Sequence, residues 1–196
     1  RDSSLSGAVA LLFDIDADDG EVRLKASADY ETKDTYNFDI VATDDGVGTL
    51  SASKSITLNI NDVNDPPSVI SGATGTIAEN ADPSTVAYDA QATDPDADTI
   101  TFSITGTDAS LFEIDSNNGE ISLKNSANFE VKNSYSINVI ATDNGSTPAN
   151  SSKAIIINVT DENDDPVAVD DMSITTLNTA KNNIDVITND SDEDLD

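Results

Sequence analysis

The chain has no cysteine, no histidine and no tryptophan among its 196 residues, and only 9 are Lys or Arg. Each absence excludes a class of chemistry. Without Cys or His there is no disulfide staple, no Cys/His zinc site, no thiol nucleophile and no triad with a histidine base. With so few cations, nothing neutralises the phosphates of a nucleic acid. No apolar run approaches the ~20 residues of a membrane-inserted helix. The N-terminus lacks the basic and apolar regions of a signal peptide, although Arg1 is not a natural start and leaves room for a leader upstream. What the chain has instead is acid: 38 Asp plus Glu and a net charge of −29, at 37% hydrophobic residues. That apolar fraction suffices for a core, so the carboxylates have to be hydrated, dispersed or neutralised by cations.

An internal repeat organises the rest. Residues 12–67 align with residues 111–166 at a constant offset of 99, without a gap, and 25 of the 56 positions are identical. Shared acidity cannot produce that register. A period near 100 residues is too long for a helical solenoid and fits one immunoglobulin-sized sandwich per repeat.

Patterning inside each repeat is β. Tyr36, Phe38, Ile40 and Ala42 alternate with more polar neighbours, as do Tyr135, Ile137, Val139 and Ala141 one period later. Ile56, Leu58 and Ile60, then Ile155, Ile157 and Val159, form further runs of period two, which put one face on a core and the other toward solvent. Phe102 and Ile104 alternate in the same way. Asp19-Gly20, Asp45-Gly46, Asn118-Gly119 and Asn144-Gly145 are the turn signals between strands. The expected fold is all-β, a tandem array of immunoglobulin-like Greek-key sandwiches. With Pro66-Pro67 and Asp165-Pro166 as linkers, residues 1–65 form a repeat lacking its first strands and 66–164 a complete one. Residues 165–196 form the first strands of a third, so the first and last sandwiches are incomplete. A sandwich short of two strands exposes sheet edges that a neighbour has to cover.

Five acidic motifs recur in order. The second repeat reads Ala78-Glu79-Asn80, Asp94-Pro95-Asp96, Asn128-Phe129-Glu130, Ala141-Thr142-Asp143-Asn144-Gly145 and Asp161-Glu162-Asn163-Asp164. The first reads Asp29-Tyr30-Glu31, Ala42-Thr43-Asp44-Asp45-Gly46 and Asp62-Val63-Asn64-Asp65-Pro66. Over residues 1–165 the chain resembles tandem cadherin-like repeats. Residues 167–196 look more like the opening of an immunoglobulin-like repeat of large bacterial surface or secreted proteins. Asn178 falls where Glu79 would be matched, and Asp190 and Asp192 match the DxD. The cysteine-free, Asp/Asn/Thr/Ser-rich composition points the same way, toward a bacterial relative. Vertebrate adhesion cadherins dock through an N-terminal tryptophan, and that mechanism has no residue here.

The resemblance implies Ca2+, a hard cation that takes six to eight oxygen ligands. It assigns one junction to Asp29, Glu31, Asn64 and Asp65, the carbonyls of Val63 and Pro66, and Asp94, Asp96 and Asp143. A second junction takes Glu79, Asn128, Glu130, Asn163, Asp164, Asp190 and Asp192, where Asn128 stands for an aspartate and removes one charge. Asp44 belongs to a junction upstream. Two carboxylates about 4 Å apart repel by roughly 1 kcal/mol in water and about 4 at an effective dielectric of 20, so such crowding without cations splays repeats apart.

Asp14-Ile15-Asp16-Ala17-Asp18-Asp19-Gly20 has the start of an EF-hand loop but Asp19 at its sixth position and Lys25 at its twelfth, and reads as strand and turn. In the ladder Asp190, Asp192, Asp194 and Asp196, only the first two are counted as ligands. Glycosidases need sugar-stacking aromatics as well as two carboxylates, and no G-x-S-x-G motif is present, so no enzyme is expected. The functional expectation is an extracellular or cell-surface structural and adhesive segment, held as a rod by Ca2+ at its repeat junctions. Its partners would be neighbouring repeats of the same or an identical chain, and a cell-surface protein or polysaccharide. The alternatives are a filament subunit that completes a neighbour's sandwich head to tail, and a calcium-dependent carbohydrate-binding module.

Overall fold

The computed structural model describes residues 2–172, 188 and 190–194. Asn178, Asp196 and most of the expected strands of the third repeat lie outside these described residues. The chain divides into two compact units, Arg1–Asp65 and Pro66–Asp196. No helix among the described residues is long and apolar enough to cross a membrane.

The first unit contains β1 (Asp2–Ser6), β2 (Phe13–Ile15), β3 (Val22–Leu24), β4 (Thr35–Thr43) and β5 (Ser51–Asn59), with a 3₁₀ turn at Ala10–Leu12. β1, β4 and β5 make one antiparallel sheet, and β2 and β3 a hairpin. The acidic run before Gly20 is the turn of that hairpin. Asp16 accepts the Asp18 N–H at 2.9 Å and Asp19 the Glu21 N–H at 2.8 Å, local bonds that close a turn.

The second unit adds β6 (Ser68–Val69), β7 (Thr74–Ala78), β8 (Val86–Asp89) and β9 (Ala92–Thr93) before β10 (Thr101–Thr105), β11 (Phe112–Ile114), β12 (Glu120–Leu123), β13 (Ser134–Thr142) and β14 (Asn150–Thr160). One sheet runs β10-β13-β14-β7, a second β11-β12-β8, and β6 pairs with β9 as a separate two-stranded ladder. β7 joins β14 in parallel, Ile156 opposite Thr74 through Thr160 opposite Ala78. Ile137, Val139, Ile155 and Ile157, one alternating face of β13 and β14, are at most 1% exposed, as is Ile121 of β12. Phe112 meets Tyr135 edge to face with ring centroids 5.3 Å apart.

The same pattern buries less in the first unit. Phe13, Tyr36 and Phe38 are its fully buried apolar side chains, and the Phe13–Tyr36 contact at 5.6 Å repeats the Phe112–Tyr135 one. Ile56 and Leu58 are only half-buried, where Ile155 and Ile157 are sealed. The physical reason is strand number. Among the described residues the first unit has no counterpart of β7 and β8, so the edges of β5 and β3 carry no strand.

Gly119 and Gly20 occupy equivalent turns with φ of +82° and +80°. A Cβ on Gly119 would lie 2.3 Å from the Ala90 carbonyl oxygen, where β8 ends, while one on Gly20 would meet nothing within 4 Å. Gly20→Ala is expected to cost roughly 1–2 kcal/mol through backbone conformation alone. Gly119→Ala is expected to add about 1–3 kcal/mol of overpacking. Urea unfolding of the two variants separates the terms, and equal losses would contradict the close approach.

Asp108 is 7% exposed; it accepts a bond from Lys132 Nζ at 2.7 Å and another from the Ser136 N–H at 2.7 Å. The Lys132 hydrogen bond, then the Ser136 N–H, holds its carboxyl below the usual 3.8. Its stabilisation is therefore present above the unfolded carboxylate pKa and is lost as pH falls through the folded one. Because Lys132 is itself half in solvent, Asp108→Ala is expected to cost only about 1–2 kcal/mol at neutral pH. The gap from the parent chain should close below the ordinary carboxylate range, as denaturation at graded pH will measure.

Candidate metal centre

β7 ends at Ala78, and the chain turns through Glu79 and Asn80, the latter in the left-handed region at φ 56°. Glu79 is a carboxylate only 2% exposed. Its Oε1 accepts the Glu162 N–H at 2.8 Å and its Oε2 the Phe129 N–H at 2.7 Å. These backbone donors, Glu162 first, hold its carboxyl below the usual value. Asn80 extends the tie: its N–H reaches the Ala127 carbonyl at 3.0 Å and its Nδ2 donates to Asp164 Oδ1 at 2.7 Å. One buried charge thus fastens the end of β7, the loop before β13 and the segment after β14.

Three more carboxylates converge on it. Ligand oxygens of Glu79, Glu130, Asp164 and Asp194 lie within 4.8 Å of one another. The Asp164 N–H donates to Asp194 Oδ2 at 2.5 Å, and Asp194 Oδ1 is buried without a hydrogen-bond partner. None of the ion pairs among the described residues reaches this group. The other acids respond in the opposite sense to Glu79. At Glu130 its own backbone N–H pulls the carboxyl down, but burial and the charges of Glu79, Asp194 and Asp161 outweigh it and the value rises. Burial and then the Asp194 and Glu79 charges raise Asp161, and burial and then Glu79 raise Asp164.

Other expected residues gather nearby. Asn163, Asp164, Asp190 and Asp192 line one cleft with Pro166 and Ser191. Asn128 holds the Val131 N–H through Oδ1 at 2.8 Å and turns its Nδ2 to Glu193 Oε2 at 2.6 Å. The DxD match shifts, however. Val167 pairs with Ser191 as Ser68 pairs with Thr93, so Asp192 and Asp194 follow this bridge as Asp94 and Asp96 follow the other. The Asp194 N–H meets Asp192 Oδ1 at 2.9 Å, as the Asp96 N–H meets Asp94 Oδ1 at 3.0 Å. Asp190 instead accepts the Val169 N–H at 2.8 Å. The sequence match of Asp190 and Asp192 is thus out of register by two residues.

At the start of this unit, Asp94, Asp96 and Asp98 form another close carboxylate group, with Asp94 Oδ2 buried and unpartnered. Asp143, 4% exposed, accepts the Gly145 N–H at 3.0 Å and the Ala149 N–H at 3.1 Å. In the first unit, Asp29, Glu31, Val63 and Asp65 line one cleft with Ala28, Tyr30, Ile60 and Asn61. Asp29 takes the Thr32 hydroxyl and N–H at 2.9 and 3.1 Å, which lower its carboxyl in that order. Asn64 is half-buried and Pro66 exposed. Sequence reasoning missed Asp194, Asp98 and Asp161; the ladder of alternating aspartates and the first residue of DENDDP were their signals.

An ordered set of acidic motifs on a seven-strand sandwich can be compared with known proteins. Residues 73–160 match the cadherin domain. Beyond that domain, the chain is 32% identical over 191 residues to Protein dachsous of Drosophila melanogaster, and 32% over 170 residues to human Protocadherin Fat 4. Each alignment covers 84% of this chain but only 6% and 3% of those proteins, so the chain spans a small fraction of the relatives' length. Both are animal proteins and lend nothing to a bacterial affiliation. The solved extracellular cadherin domains 1–5 of Protocadherin Gamma B2 superpose with a TM-score of 0.63 at 26% identity, over 83% of this chain and 33% of that one. The fold is that of cadherin repeats, and the location is extracellular or cell-surface.

Glu79→Gln keeps the shape but offers an NH2 group to one of two backbone donors. The expected result is a lower melting temperature with faster amide exchange at Phe129 or Glu162; unchanged exchange at both would remove Glu79 from its anchoring role.

Proposed function

We propose that the second unit binds Ca2+ at the end of its cadherin domain, and that the chain is a non-enzymatic, calcium-rigidified extracellular segment with structural and adhesive roles. The carrying observation is the convergence of Glu79, Glu130, Asp164 and Asp194 within 4.8 Å, with one buried oxygen of Asp194 lacking a partner. The donors are all oxygens and mostly carboxylates, which suits a hard cation with many oxygen ligands. Calcium supplies positive charge there and nothing chemical. The chain's own part is to hold the oxygens: Glu79 through backbone N–H groups, Asp164 through Asn80, Asp194 through Asp192.

Asp192 and Asp194, rather than Asp190, are the proposed ligands from the third segment, with Asn163 and Asn128 beside them. The residues grouped elsewhere, namely Asp94, Asp96 and Asp143 in this unit and Asp29, Glu31, Val63, Asn64, Asp65 and Pro66, are assigned to the same chemistry by the repeat. Neighbouring repeats are the partners this reading requires.

In a second reading, strands like β7 and β8 reach the edges of β5 and β3 from another polypeptide. A strand from a second copy would make head-to-tail filaments.

Calcium titration by calorimetry, with small-angle scattering and proteolysis, tests the first reading. Extracellular modules of this kind bind at about 10⁻⁴ to 10⁻³ M. Added calcium should protect the chain from cleavage near Asp164 and extend its maximum dimension. Asp194→Asn should weaken binding roughly tenfold, about 1.4 kcal/mol. No heat and no protection at millimolar calcium would end the proposal. Size measurement over a concentration series decides the filament reading, which needs growth with concentration.

A further inference from the structure

β14 carries acceptor sequences that the calcium reading does not use. Asn150-Ser151-Ser152 and Asn158-Val159-Thr160 are both Asn-X-Ser/Thr, the pattern of asparagine-linked glycosylation, with no proline at the middle position. Repeat one has Ser51 in place of Asn150, and Asn59-Ile60-Asn61 in place of the second; outside the cadherin domain the pattern recurs at Asn189-Asp190-Ser191, whose asparagine lies outside the described residues.

The structure puts both asparagines on one surface. Ile155, Ile157 and Val159 point into the core at 0%, 0% and 5% exposure, while Asn150, Ser152, Ala154, Ile156, Asn158 and Thr160 are exposed. Eight residues of strand separate the two asparagines, roughly 27 Å at ~3.4 Å per residue. Neither carboxamide bonds to a described residue. The domain's third such sequence, Asn144-Gly145-Ser146, differs: Asn144 Oδ1 accepts the Thr99 N–H at 2.9 Å beside the Asp94–Asp98 turn.

We propose that Asn150 and Asn158 are N-glycan acceptors, and that their sugars cover the outward face of the β10-β13-β14-β7 sheet. The donor is a polyisoprenyl-diphosphate-linked oligosaccharide. The asparagine Nδ2 forms a bond to the anomeric carbon, the bond from that carbon to the diphosphate oxygen breaks, and Nδ2 gives one proton to a base of the transferase. The lipid diphosphate leaves, and no electrons are exchanged. Between the two sites lies Ile156, 49% exposed, while the other outward residues of β14 between the asparagines, Ser152 and Ala154, are small. Glycans at either end of the strand shield it and keep that face from packing side by side with another sheet, leaving the acidic ends of the repeat accessible.

The test is the full chain, carried by a cleavable secretion leader through animal cells, purified from the medium and mapped by mass spectrometry before and after peptide-N-glycosidase. Glycan at both Asn150 and Asn158, and loss of one mobility step in each of Asn150→Gln and Asn158→Gln, is the expected result. Thr160→Ala should remove the Asn158 glycan while leaving the asparagine in place, which separates acceptor chemistry from a folding defect. Secreted protein with both asparagines bare, or with glycan on Asn144 alone, would overturn the assignment.

Discussion

The buried carboxylate of Glu79 is the constraint on which one end of the cadherin domain depends. A chain of net charge −29 places a carboxylate at 2% exposure and gives it no cationic partner among the described residues. Backbone N–H groups of Phe129 and Glu162 stabilise it instead, satisfying donors that would otherwise be buried without acceptors. Because its charge is secured in this way, it sits as a fixed anion in the field of its neighbours. Glu130, Asp161 and Asp164 then carry the frustration, and their carboxyls rise.

The two repeats show how much a few strands add to an unchanged pattern. Phe13–Tyr36 and Phe112–Tyr135 pack alike, yet the β5 side chains that match Ile155 and Ile157 stay half-buried. Substitutions follow the same difference in environment. Val9 stands where Asp108 meets Lys132, although Lys33 and Lys132 both lie over their tyrosine rings at 5.3 and 5.2 Å. In both repeats the lysine ammonium lies over an aromatic ring, and only the second adds a buried acid that accepts a hydrogen bond from it.

Strands were legible because branched and aromatic residues alternate cleanly, and a one-residue slip would turn Ile137 and Val139 to solvent. The hairpin at Gly20 was legible for its Asp-Gly turn and for Phe13, a core residue inside an apparent ion-binding loop. Residues at the site were less so. Asp190, Asp192, Asp194 and Asp196 repeat every second position, so the ladder matches a DxD in several registers and sequence alone cannot choose. The bridge between Val167 and Ser191 chooses, and it involves no acidic residue. Glu79 was found as a motif member but not as an anchor, since its partners are backbone groups 50 and 83 residues away. Asp161 opens the same motif that supplied Asn163 and Asp164; only the folded proximity of Asp194 and Glu79 marks it as part of the cluster.

Charge of this kind is not relieved by ordinary salt. Monovalent ions at physiological strength screen over about 8 Å, whereas the carboxylate oxygens around Glu79 lie within 4.8 Å of one another, inside that length. Two things can enter so small a space and change the balance, a proton or a compact multivalent cation. Acids with raised carboxyls bind protons more tightly in the folded state. Their contribution to stability is therefore fully present below the unfolded carboxylate value and is lost as pH rises through the raised, folded one. A divalent ion would compete for the same oxygens without needing acid, which is the physical basis of the calcium proposal. The electrostatic defect of the free chain and the proposed function of the bound one are the same arrangement of oxygens.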